Sequence, residues 1–111
     1  MEIRKQACDG TLILHVEARR IDASVAMEFK DAIVSVIDEG NHELVIDLSQ
    51  VEFLDSSGLG AIVGALKYLG HKGNLVLTGL SRSVLRVFEL TRMDKVFRIA
   101  ATIDDAVACA I

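Results

Sequence analysis

Leu44-Val45-Ile46-Asp47-Leu48 is apolar at consecutive positions instead of alternating ones. A strand with one wet face alternates in polarity, whereas a consecutive apolar run needs cover on both faces. The interior of a parallel sheet flanked by helices supplies that cover. The run therefore predicts a central strand over 43–48, and its neighbours must supply helices. They do. Val25, Ala26, Phe29, Ala32, Ile33, Val36 and Ile37 recur at helical spacing upstream, after Asp22 as the expected N-cap and before Gly40 as the stop. Downstream, a second helix is predicted over 56–69, closed by Gly70.

The remaining pattern extends this alternation. Asp9-Gly10 lies between two extended stretches, 2–8 and 11–18, and signals a tight hairpin. In the second stretch Leu12, Leu14 and Val16 alternate with Thr11, Ile13, His15 and Glu17, which puts His15 on the more polar face as a lone surface histidine. A strand follows over 74–78. Ser81 then caps a helix carrying Val84, Leu85, Val87 and Phe88, and a short strand is predicted over 96–100. Thr102 and Asp105 resemble a capping box for a last helix through Ala108. The expected fold is α/β: one domain over 1–111, with a mixed, mostly parallel sheet of about five strands, about four helices and an N-terminal β-hairpin.

Composition narrows function. The chain has 111 residues, 51% hydrophobic and 25% charged, with net charge −4. No apolar run approaches the roughly 20 residues that span a bilayer, so no membrane insertion is expected. Residues 1–6 carry no secretory pattern, and a cytoplasmic location is expected. Cys8 and Cys109 form no metal spacing and are expected to be reduced and half-buried. The basic residues are scattered, Trp is absent and one Tyr is present. That argues against nucleic acid as a partner. Arg82, Arg86 and Arg98 read as a solvated helix face or a local basic patch.

Between the central strand and its following helix the chain reads Leu54-Asp55-Ser56-Ser57-Gly58-Leu59-Gly60. Asp and Ser suit the start of a helix, where their oxygens accept from free N–H groups. Taken alone, such a segment is an N-cap. The helix that follows is unusual, because Ser56 through Leu66 carries no charge. Leu59, Ile62, Val63, Leu66 and Leu69 form its inward stripe, and Ser57, Gly60, Ala61, Gly64 and Tyr68 present a strip of small residues on the other side. Each glycine costs about 1 kcal/mol of helix stability relative to alanine, so something approaches that backbone closely. Either another element of the domain or a separate protein fits. A phosphate on Ser56 or Ser57 would sit at the strip's edge, tolerated by the helix dipole and disruptive to docking.

No catalytic constellation accompanies these residues. Gly58-x-Gly60-x-x-x-Gly64 lacks the context of a dinucleotide fingerprint, since about ten residues separate it from the end of the strand. There is no G-x-S-x-G, and none of His15, His42 and His71 lies in a context that marks a base. Neither an enzyme, a cofactor nor a metal is expected.

The stretch from Leu44 through Gly60, with its Asp55-Ser56-Ser57-Gly58-Leu59-Gly60 core, resembles the STAS domain family and within it the bacterial anti-sigma factor antagonists. The Ile21-Asp22-x-x-x-Ala26 stretch and the later strand and helix fall where that family has its own. The resemblance implies partner switching. The unphosphorylated antagonist binds an anti-sigma factor that is a GHKL-type serine kinase, the sigma factor is freed, phosphorylation releases the antagonist, and a PP2C-type phosphatase restores it. It implies Ser56 as the phosphoacceptor, with Ser57 as the alternative hydroxyl, and places Asp55, Ile21 and Asp22 in the partner contact. Gly58, Gly60, Ala61, Gly64 and Tyr68 complete the expected docking face. Arg19-Arg20 departs from the Gly-Glu or similar pair common in the family, which alters loop charge there. The alternative within the fold is a non-switching subunit that docks on a transporter ATPase or in a sensory complex.

Overall fold

The strand over Glu43–Asp47, β4, lies at the centre of a five-stranded sheet in which β1 (Glu2–Cys8), β2 (Thr11–Glu17), β4, β6 (Asn74–Thr78) and β7 (Arg98–Ala100) lie side by side in that order. A computed structural model describes the backbone of residues 1–110 and the side chains of residues 1–107. Strands β1 (Glu2–Cys8) and β2 (Thr11–Glu17) form the antiparallel hairpin, turning through Asp9 and Gly10, both at positive φ. Strands β2, β4, β6 (Asn74–Thr78) and β7 (Arg98–Ala100) are parallel. Leu44, Val45 and Ile46 are fully buried, as a strand covered on both faces requires.

The strand order advances in one direction, and right-handed crossovers then place every connecting helix on the same face. Helices α1 (Ala26–Asp38), α2 (Ser56–Leu69) and α3 (Arg82–Leu90) share one core with Leu14, Val16, Leu44, Ile46 and Leu77. Helix α4 (Ile103–Ala110) follows the last strand and covers the opposite face, where Ala106 joins Ile13, Val45, Val76 and Ala100.

Several local expectations are met by their own chemistry. Ser81 Oγ accepts from Val84 N–H at 3.3 Å and starts α3. Thr102 Oγ1 accepts from Asp105 N–H at 3.1 Å and starts α4. Others are corrected. Asp22 does not cap α1: the helix begins at Ala26, after Val25, and the Asp22 carboxylate instead accepts from Ser24 N–H at 3.0 Å and Ser24 Oγ at 2.6 Å. Strand β7 starts at Arg98 because Val96 and Phe97 belong to the preceding turn, where Phe97 packs edge-on to Phe88 with ring centroids 5.7 Å apart. Cys8 is a free, half-buried thiol, and the side chain of Cys109 lies outside the described residues.

His15 is the largest correction. It is 6% exposed, with Nδ1 at 2.7 Å from Asp47 Oδ2 and Nε2 at 2.8 Å from Gln6 Oε1. Both faces of β2 are covered, so the polar alternation of the strand does not reach water.

Candidate functional site

Two strands too short to show a periodicity build the site. Strand β3 (Arg20–Ile21) pairs in parallel with β5 (Phe53–Leu54), apart from the main sheet. The Arg19 carbonyl accepts from Glu52 N–H at 2.7 Å and Phe53 N–H at 3.1 Å, and the Ile21 carbonyl accepts from Asp55 N–H at 3.3 Å. This ladder brings the turn before α1 beside the start of α2. Arg20 adds a cation–π contact, its guanidinium carbon 4.3 Å from the centre of the half-exposed Phe53 ring. Arg19 pairs with Glu52 at the surface, each just before one of the two strands.

Asp55 is the N-cap of α2, its Oδ1 accepting from Gly58 N–H at 2.9 Å. Ser56 and Ser57 follow as the first helical residues, and both side chains are exposed. They belong to the first turn of the helix, where the dipole favours negative charge. Asp22 lies one residue beyond the β3–β5 ladder. Hydrogen bonds from the Ser24 hydroxyl and amide hold its carboxyl below the usual range, helped by Arg20.

The expected docking residues separate into two groups. Ile21 is fully buried, and its carbonyl, not its side chain, serves the site. Gly58 is buried against it, and a Cβ there would lie 2.5 Å from the Ile21 carbonyl oxygen and 2.6 Å from Leu54 Cδ1. Ala61 is 6% exposed, and Gly64 lies under the Lys30 side chain of α1. These four are therefore packed within the domain. Adjacent crossover helices on one sheet face also touch each other, so α2 meets α1 as well as the sheet. Val63 and Leu66, expected inward, are half-buried. Ser56, Ser57, Gly60 and Tyr68 remain open, the Tyr68 hydroxyl donating to Asp38, which raises the phenol above its ordinary range. Asp22 and Asp55 are half-buried at the rim.

An open groove of about 320 Å³ runs between the two helices, walled by Ala26, Met27 and Lys30 of α1 and by Ser57, Gly60 and Ala61 of α2. Sequence reasoning found the α2 side through its small residues. It did not find Met27 and Lys30, which come to face α2 through the packing of the two helices.

The only buried histidine–carboxylate pair among the described residues is His15 with Asp47. It has the base and orienting acid of a hydrolytic triad, but Nε2 faces the Gln6 amide oxygen where a nucleophile would stand. Among the described residues no three His, Cys, Asp or Glu side chains form a metal-binding group, and no helix is long and apolar enough to cross a membrane.

A family model described as the STAS domain matches residues 2–106. The chain is 43% identical over 84 residues to the anti-sigma-B factor antagonist of Listeria monocytogenes, covering 74% of this chain and 73% of that protein. It superposes on the crystal structure of an anti-sigma factor antagonist from Mycobacterium paratuberculosis with a TM-score of 0.89 at 31% identity, covering 98% and 92% of the two chains. The likeness to the Bacillus cell fate determinant SpoIIAA in its phosphorylated form is one of fold, with a TM-score of 0.71 at 18% identity over 99% of this chain and 100% of that one. With a family model spanning nearly its whole length and a fold shared throughout, this chain belongs to the STAS domain family.

Proposed function

We propose that this protein is an anti-sigma factor antagonist of the bacterial cytoplasm that works by partner switching. In this reading it binds a GHKL-type serine kinase acting as anti-sigma factor, through the open face formed by Ser56, Ser57, Gly60 and Tyr68 with Asp22 and Asp55 at its rim. It carries out no catalysis itself. The observation that carries the reading is the exposed Ser56 hydroxyl as the first residue of α2, directly after the Asp55 cap. Relatives named as anti-sigma factor antagonists support it.

The chemistry follows from placement. Ser56 Oγ attacks the γ-phosphorus of ATP held by the kinase, the phosphoester forms, ADP leaves and the serine proton passes to a base of the kinase. The new group adds about −1.5 to −2 charges at a helix start that accommodates them. The same charges face a partner surface that was built against a neutral hydroxyl. Folding is spared and docking is lost. A PP2C-type phosphatase hydrolyses the ester and restores the binding form.

The reading is tested by incubating the protein with ATP and each purified kinase-type anti-sigma factor of its source organism, then mapping phosphate by mass spectrometry. Stoichiometric phosphate on Ser56, absent from Ser56→Ala, is expected. Phosphate on Ser57 alone reassigns the acceptor. No phosphate on either serine, with a transporter ATPase bound instead, contradicts the reading.

A further inference from the structure

Gly60 is a glycine that packing among the described residues does not require. A Cβ built on it meets nothing within 4 Å, and a larger residue there would favour the helix. Gly64, one turn later, is covered: a Cβ there would lie 3.0 Å from Lys30 Cε. The Lys30 side chain thus lies along α2, half-buried, and among the described residues it has no ion-pair or hydrogen-bond partner. Met27, nearly one turn earlier on α1, is 73% exposed. The groove between the helices therefore combines a glycine open to close approach, a flexible apolar wall and an uncompensated cation.

From this geometry we infer that the α1–α2 groove seats an apolar side chain of the anti-sigma factor, and that Lys30 selects a partner carrying a carboxylate beside that side chain. The identity of the partner rests on the proposed function. The selection has a physical basis. An occupant without an acid would close over the Lys30 ammonium and strip its water without return. An occupant with one gains a charge-assisted hydrogen bond. Such a penalty against the wrong partner is how specificity arises at a surface that is otherwise apolar. Met27 adapts to the shape of the inserted group, and Gly60 admits its backbone.

The same arrangement accounts for release. Ser57 forms part of the groove wall, and Ser56 precedes it as the first residue of the same helix. A phosphate on Ser56 is then one residue from the groove wall, next to an acidic partner. The charge that Lys30 attracts is the charge that the phosphate repels.

The test is calorimetric titration with the purified anti-sigma factor kinase of the same organism, comparing wild type with Gly60→Leu, Lys30→Met, Lys30→Glu and Ser56→Asp. Gly60→Leu and Lys30→Glu are expected to bind at least tenfold more weakly, about 1.4 kcal/mol. Lys30→Met keeps the apolar stem, and is expected to weaken binding and flatten the dependence of Kd on sodium chloride. Circular dichroism of each variant should match wild type. If Gly60→Leu does not fold, Met27→Glu at the exposed rim takes its place, with the same expected loss. Groove variants that bind within twofold of wild type, with unchanged salt dependence, overturn the inference while release by Ser56→Asp leaves the proposed function standing. Ser56→Asp binding as tightly as wild type overturns the proposed function. A wild-type protein that binds no anti-sigma factor overturns both.

Discussion

The Ile21 carbonyl oxygen stands only 2.5 Å from the place a Cβ on Gly58 would take. That oxygen also accepts from Asp55 N–H at 3.3 Å, so the same atom ties β3 to the cap of α2 and presses against its first turn. Gly58 is thus a spacing element for the site.

Gly58→Ala should consequently destabilise the domain although alanine is the better helix former. The helix gain of about 1 kcal/mol is opposed by a clash with backbone, which cannot rotate away. A net loss of about 1–3 kcal/mol is expected in urea denaturation. Amide protection at Asp55, which reports the Ile21 hydrogen bond, should fall with it. A variant as stable as wild type would show that β3 can move away from α2 freely.

Acid should weaken the fold through Asp47. Burial pushes its carboxyl up, but hydrogen bonds with His15 and from the Ser49 amide and hydroxyl outweigh this and hold it below the ordinary range. A carboxyl whose folded pKa is depressed contributes stability above its unfolded value of about 4, and that contribution is lost as pH falls through the folded value. Asp47→Asn should therefore cost about 1–3 kcal/mol near neutral pH, and the two denaturation curves should converge below about pH 4. A constant difference between them across that range would contradict the assignment.

Thr78 lies beside Asp47 in the β4–β6 register, and its buried hydroxyl has no hydrogen-bond partner among the described residues. Replacing it by valine keeps the shape and removes an unpaired polar group. Thr78→Val should raise stability by about 0.5–1 kcal/mol, read as a higher melting temperature. A fall of similar size would show that the hydroxyl is satisfied.

Much of the fold was legible because its signals are periodic and local. The consecutive apolar residues of β4, the helical spacing of α1 and the caps at Asp55, Ser81 and Thr102 each state their element directly. What escaped was pairing between distant segments. Strands β3 and β5 have two residues each, too few for any period, and exist because Arg19 and Ile21 offer carbonyls to residues more than thirty positions away. His15 read as a surface residue because alternation reports polarity, and a polar residue satisfied by Asp47 and Gln6 is as well placed inside as outside. Ala61 and Gly64 carry the small-residue signal of close approach, but the signal does not say what approaches. For Gly64 it is Lys30 of α1, and a Cβ on Gly60 would meet nothing within 4 Å among the described residues.

In the proposed function, folding and docking separate at Ser56. The direct measurement is the affinity of stoichiometrically Ser56-phosphorylated protein for its anti-sigma factor, set beside its melting temperature. Binding at least tenfold weaker than that of the unphosphorylated protein is expected, about 1.4 kcal/mol or more, with a melting temperature shifted by no more than about 2–4 °C, which corresponds to less than about 1 kcal/mol. Phosphorylated protein that binds as tightly as the unmodified form, or that loses its fold, would contradict it.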